Sequence, residues 1–412
     1  MLDHNFSPDF SFRQNVRYFD ASAKRNEMWD INVLGVRYDP ADSGVLYRIP
    51  LARQQTSEAL MVDNQFQYQL DGEWLQHKLL AGFDYRQTRF NQSINTDLAV
   101  FIDPARYALD LYQPVYGITH VDTATRYASE NNQSYQSGIY LQNQLTIDDQ
   151  IIATLGLRRD QTSQRNVNGS FNSQSMTLQQ QAPQRSHNLA LSRRLGISYL
   201  SETGLAPYYS YSESFLPQAG MDSAGRSLSP ETGKQHELGI KYQSIQADVF
   251  ATLAVFDLVR NHVANRNRLS TAMNRIGRVR SQGAEFETTL SLDYGVNASF
   301  AYTYIKARIE QGLLSSQNGL TPERIPQHST STWLEYQPQL ASLHGFSFGL
   351  GGRFNGRSFD QSNDISVPSY SVFDAFSSYR FKHWSWTLNA TNLFDRQYIA
   401  QCSSMLNDTT GQ

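Results

Sequence analysis

Polar and apolar residues alternate along almost the whole chain, while the 3.6-residue repeat of an amphipathic helix is nearly missing. His77, Leu79, Ala81, Phe83 and Tyr85 share one parity, against Lys78, Leu80, Gly82, Asp84 and Arg86 on the other. Ala298, Phe300, Tyr302 and Tyr304 alternate with Ser299, Ala301 and Thr303, and Trp384, Trp386, Leu388 and Ala390 with His383, Ser385, Thr387 and Asn389. Successive side chains of a strand point to opposite faces, so this pattern predicts strands with one apolar and one polar face. About sixteen segments read this way, starting near residues 10, 28, 57, 74, 134, 149, 186, 204, 232, 245, 276, 295, 327, 343, 368 and 382.

The connections also alternate. Asp71-Gly72, Asp148-Asp149 and Asp293-Tyr294 read as tight turns, whereas 38–56, 92–132, 166–184, 217–231 and 309–325 read as long polar loops. Short turns at one end and long loops at the other describe a barrel of the outer-membrane kind. The apolar runs Ile151–Leu157 and Val249–Val255 fall far short of the roughly 18 residues of a membrane helix. In hydrocarbon every backbone donor and acceptor needs a partner, and with helices excluded a closed sheet remains. The expected fold is therefore all-β, a transmembrane antiparallel up-and-down β-barrel. Tyr208, Tyr209, Tyr211, Tyr302, Tyr304, Trp384 and Trp386 are candidates for its interfacial girdles. A soluble propeller or solenoid is the weaker reading, because no blade-like repeat is visible.

No linker or shift of composition divides residues 1–412, which read as one domain. Net charge of -3 and an isoelectric point near 6.3 exclude a general nucleic-acid binder. The start, MLDHNFSPDF, is not a secretory signal, so either the protein stays inside or its beginning lies upstream.

Motifs that carry catalytic or metal chemistry are mostly missing from the sequence. The nine histidines lack a metal-ligand spacing, the single Cys402 cannot build a zinc site, and no Gly-x-Ser-x-Gly elbow occurs. The expectation is no enzyme, no metal and no cofactor. Gly349, Gly351, Gly352 and Gly356 read as strand glycines rather than a phosphate loop. Glu285 and Glu287 share a strand face and are expected to point into a wet lumen beside arginines. Arg260, Arg266, Arg268, Arg275, Arg278 and Arg280 have no acid among them and read as a solvated loop with its flanking strands, or as contacts to anionic groups.

Several stretches carry a family resemblance. They are SYSESF at 210–215 with PETGKQHELGIKY at 230–242, GAEFE at 283–287, PQHSTSTWLEY at 326–336, VPSYSVFDA at 367–375 and NATNLFDRQYIAQC at 389–402. In this order they resemble the barrel of TonB-dependent siderophore receptors. LDLYQPVYG at 109–117 and SGIYLQNQ at 137–144 resemble the hydroxamate branch, of ferrichrome and ferrioxamine type. The resemblance implies a location in the cell outer membrane and uptake of a ferric siderophore, of hydroxamate type, energised by TonB. It also implies contact with outer-membrane lipid and lipopolysaccharide.

The family's pattern comprises a signal, a TonB box, a plug and a barrel of 22 strands. Against it, the chain is expected to be incomplete, with about sixteen strands and with signal, TonB box, plug, first strands and final strand absent. It is then expected not to transport alone, and to leave the segments near 10 and 382 as two unpaired edges. Cys402 resembles half of a disulfide pair; a small buried hydrophobe is the other reading. A ferric hydroxamate presents an organic shell, which aromatic loop residues suit, so Tyr47, Tyr107, Tyr112 and Tyr116 are the expected ligand contacts. A passive outer-membrane pore or adhesin barrel is the alternative, and a soluble carbohydrate-binding β-protein a third.

Overall fold

The computed structural model describes residues 1–30, 44–117, 123, 125–172, 175, 177–218, 221–222, 226–244, 248–266, 272–275, 277–312 and 314–402. Besides several strands of two to four residues, one of which, Thr177–Gln180, joins the main sheet beside the end of Ile151–Asn172, the described strands are β1 (Leu2–Asn5), β2 (Phe10–Asp30), β3 (Arg48–Asp71), β4 (Leu75–Thr96), β5 (Thr125–Ile147), β6 (Ile151–Asn172), β7 (Gln184–Tyr199) and β8 (Leu205–Leu216). They continue as β9 (Glu231–Gln243), β10 (Asp248–Asn261), β11 (Arg278–Leu292), β12 (Val296–Gln311), β13 (His328–Tyr336), β14 (Phe346–Asn355), β15 (Tyr370–Phe381) and β16 (Trp384–Ala390). Each is antiparallel to its sequence neighbours, giving one meander from β1 to β16.

Several expected boundaries move. The starts at 10 and 28 belong to one strand, β2, because Phe10 to Asp30 pair without a break with Tyr68 to Arg48. Strand structure also claims much of the expected loops 38–56 and 92–132, since β3 begins at Arg48, β4 runs to Thr96 and β5 starts at Thr125. β3 has 24 residues, whereas a tilted strand crosses hydrocarbon in about 9–11. The excess carries the outer ends of β2–β6 beyond the membrane. Polar alternation continues there, and only the change from apolar to polar on the outward parity marks the boundary.

The two faces follow the sequence pattern. One bears exposed apolar side chains: Phe66 on β3, Phe83 on β4, Ile139 and Leu141 on β5, Leu155 and Leu157 on β6, and Leu238 on β9. The other bears polar networks and the glycines beneath large rings. A Cβ at Gly82 would strike the Tyr140 ring, and one at Gly351 the Trp333 ring, which itself stacks on Phe376 at 5.7 Å. Those strand glycines make room for cross-strand aromatics. Among the girdle candidates, Tyr209, Tyr211, Tyr302, Tyr304, Trp384 and Trp386 take the outward parity. Tyr208 is the exception: it shares the inward parity of Gly239 and donates its hydroxyl to Glu237 at 2.7 Å.

Among the described residues no ladder joins β16 to β1 or β2, as expected of the two edges. The first edge is composite, however, because β1 pairs with Ser11–Gln14 of β2 and leaves the rest of β2 as the margin.

Candidate ligand-binding surface

The connection after β4 folds back on the outer ends of β2–β5. Asp97 starts it: its carboxylate accepts from the Ala99 amide at 2.9 Å and begins the first of two short 3-10 turns, Leu98–Phe101 and Pro104–Tyr107. Val100 and Tyr107 then bury against Ile49, Leu51, Ile94 and Ala128, with Met28, Trp29, Tyr47 and Tyr127 packed around them. The Tyr107 hydroxyl donates to Asp97 at 2.6 Å, Arg106 lies 2.9 Å from the same carboxylate, and Arg48 Nε donates to the Tyr107 carbonyl at 2.8 Å. Thr96 Oγ1 closes the base on the Pro50 carbonyl at 2.7 Å. Burial pushes the Asp97 carboxyl up, but bonds from Tyr107 and the Ala99 amide and the Arg106 charge outweigh it and hold the group below the ordinary carboxylate value.

Leu109–Asp110 then pairs with Val45–Leu46, and Asp110 accepts from the amides of Tyr112 and Gln113 at 2.7 and 2.9 Å. This turn projects side chains outward: Tyr112 is 81% exposed, Tyr116 71% and Val115 60%. The Tyr112 ring lies over Gly44, whose φ of +66° and lack of Cβ permit the approach.

The four tyrosines thus divide. Tyr112 and Tyr116 stand on the surface of this platform, while Tyr107 is buried within it and Tyr47 packs against its core. Asp97, Arg48 and Thr96 were not anticipated, although Asp-Leu-Ala-Val after a strand is a short N-cap signal.

The inner wall holds a second network. Arg158 donates to Asp84 at 2.5 Å and to Asp160 at 2.6 and 2.8 Å, and its guanidinium carbon lies 5.6 Å from the Tyr140 ring centroid. Tyr140 donates to Asp63 at 2.7 Å. Parity alone could have placed these groups on the polar face, but not on one another.

Glu285 and Glu287 do take the inward parity, yet the groups near Glu285 are Glu237 and Glu287 rather than arginines. Arg260, Arg278 and Arg280 of the arginine cluster lie on the strands that flank its loop, and each meets an acid. Arg260 binds Glu231 at 2.6 Å, Arg278 binds Glu310 at 2.8 Å, and Arg280 binds Asp257 at 2.5 Å. The acids arrive from neighbouring strands, which sequence proximity could not show. Arg268 lies outside the described residues. Cys402 is a free, partly exposed thiol.

Over residues 2–393 the chain matches the profile of the family described as TonB dependent receptor-like, beta-barrel. The chain belongs to this family. TonB-dependent receptor barrels are outer-membrane receptors and transporters. The chain is 30% identical over 424 residues to the ferrichrome outer membrane transporter/phage receptor of Escherichia coli K12, covering 97% of this chain and 54% of that protein. It is also 30% identical over 410 residues to the ferrioxamine B receptor of Salmonella typhimurium SL1344, covering 98% and 55%. The chain therefore spans about half the length of the curated relatives it matches.

In fold, this TonB-dependent receptor barrel superposes on the ferric-catecholate import receptor Fiu of E. coli K12 with a TM-score of 0.80 at 19% identity, covering 97% of this chain and 59% of that one. The siderophore receptor PiuA of Acinetobacter baumannii gives 0.79 at 17%, covering 97% and 60%.

Proposed function

We propose that this chain forms much of the barrel wall and an outer ligand platform of a receptor that takes up a ferric siderophore of hydroxamate type across the outer membrane, energised by TonB. Its partners in that reading are the ferric siderophore, TonB, and the outer-membrane lipid and lipopolysaccharide around the wall. The observation that carries it is the platform on β2–β5, where a packed core and the Asp97 cluster hold Tyr112 and Tyr116 exposed on a fixed turn. A rigid base matters because ordering a loop on binding subtracts from affinity. Amphipathic rings suit the organic shell of a coordinatively saturated ferric complex, which offers no open iron position for a protein ligand.

The test is a titration of the full chain in detergent micelles with a ferric hydroxamate, followed by quenching of intrinsic fluorescence. Saturable quenching is expected, weakened about tenfold or more by the Tyr112→Ala/Tyr116→Ala pair at about 1 kcal/mol per aromatic. Tyr294→Ala, at the opposite end of the wall, should leave it unchanged. Absence of saturation, or equal binding by the pair, would overturn the reading, and tighter binding of a ferric catecholate would reject the hydroxamate class.

A further inference from the structure

The lumen side of the wall carries a hollow at the end away from the platform, which the siderophore reading does not use. It measures about 460 Å³, within the range of about 300–1,000 Å³ of small-molecule sites. Strand register builds it from two rows that continue the inward parity of Glu285 and Glu287. Phe250, Thr289, Ser299 and Trp333 lie abreast on β10, β11, β12 and β13. At strand spacings of about 4.8 Å, the two aromatics stand about 14 Å apart with two hydroxyls between them. One pleat nearer the turns, Asp248, Ser291 and Asn297 form the second row.

The hollow is preformed. Trp333 stacks on Phe376 at 5.7 Å, and a Cβ at Gly351 would strike its ring, so the indole is held while its remaining surface borders the hollow. Ser291 Oγ donates to Asn297 Oδ1, which orients the amide and leaves its Nδ2 hydrogens as donors. Asp248 lines the other side of the same row as an acceptor.

Chemistry decides what such a hollow takes. Among the described residues no lysine, arginine or histidine lines it, so nothing there balances an anion. Asp248 is the one carboxylate among the described lining residues, and hydroxyls and amides outnumber it. The fitting ligand offers several hydrogen-bonding groups together with flat apolar faces. A sugar ring has both: aromatic side chains cover its C–H face, and Ser, Thr, Asn and Asp bond its polar rim. Asn297 and Asp248 supply the amide donor and the carboxylate acceptor that complement the carbonyl and N–H of an acetamide. The turn Asp293–Gly295 separates Ser291 from Asn297, so the hollow opens at the short-turn mouth, which in such barrels faces the periplasm and its cell-wall glycan.

We infer that this hollow binds an N-acetylated hexosamine disaccharide, with Phe250 and Trp333 against its rings and Asp248 and Asn297 on an acetamide. The inference rests on the lumen-facing wall of the receptor reading and is independent of its siderophore.

The experiment is isothermal titration of the full chain, in micelles of a detergent without a sugar head, with three disaccharides. They are N,N′-diacetylchitobiose, cellobiose, which lacks the acetamides, and chitobiose, whose free amines are cationic. The acetylated sugar should bind saturably and about tenfold tighter than cellobiose, the worth of a hydrogen bond to a charged group. Trp333→Ala should weaken it about tenfold and Asn297→Ala about fivefold, both leaving the ferric-hydroxamate titration unchanged. Asn297, at the solvent end of its strand, keeps the test open if the Trp333 variant does not fold. Equal binding of cellobiose, tightest binding of the cationic sugar, or undiminished binding by the folded variants would overturn the site. A wild-type chain that titrates with the ferric hydroxamate and takes no disaccharide would sink this inference alone, whereas a chain that forms no heat-modifiable barrel would overturn the wall reading beneath it.

Discussion

The Tyr107 hydroxyl donates to the Asp97 carboxylate at 2.6 Å, and through that bond a buried ring and a 3-10 cap become one unit. Both groups sit among apolar neighbours from β3, β4 and β5, so the bond is shielded from water. Exposed Tyr112 follows Tyr107 by five residues and depends on this unit for its position.

Tyr107→Phe removes the donor and keeps the ring. The expected cost is about 1–2 kcal/mol, confined to the platform. Amide exchange should quicken across residues 97–110 and stay unchanged in β10–β15. Uniform slowing or quickening throughout the wall would contradict it.

Acid should loosen the same unit. The folded Asp97 pKa is depressed, so its contribution is fully present above the unfolded value of about 3.9 and is lost as pH falls through the lower folded value. Limited proteolysis within 97–117 should therefore rise only below about pH 4. Asp97→Asn should cleave readily at neutral pH and lose that dependence.

Gly82 and Tyr140 are coupled by contact. Gly82→Ala should displace the Tyr140 ring from Asp63 and cost about 1–3 kcal/mol. Adding Tyr140→Ala should cost much less in that background than alone, a non-additivity read by a double-mutant cycle of refolding free energies. Additive losses would show that the ring does not rest on the glycine.

Charge on the lipid parity should cost far more than on its neighbour. Leu141→Arg is expected to lose about 2–4 kcal/mol of stability in a bilayer, while Gln142→Arg, one residue along and facing the lumen, should change little. Similar losses at both positions would be the contrary result.

Period-two polarity on β4 and β16 made the strands and their two faces legible, because side-chain direction in a strand is fixed by parity. Strand ends were less legible. Polar alternation continues past the membrane in β2 and β3, so nothing in the sequence distinguishes Arg48–Gln55 from loop. The platform was half visible: Tyr112 and Tyr116 lie exposed in the loop that the LDLYQPVYG stretch marks, but Tyr107 belongs to a core that also takes Val100 of its own connection and residues of β3, β4 and β5. The same limit hid the partners of Arg260, Arg278 and Arg280, whose acids lie between 23 and 32 residues away in sequence, across the ladder.

The wall has a lipid face and a lumen face that alternate residue by residue along each strand. The most direct measurement places a fluorophore at single cysteines along β4, in a Cys402→Ser background, and reads quenching by brominated lipid after reconstitution. Strong quenching at Leu79, Ala81 and Phe83 and weak quenching at Lys78, Leu80 and Asp84 is the expected result. Uniform quenching along the strand, or the opposite parity, would contradict the account.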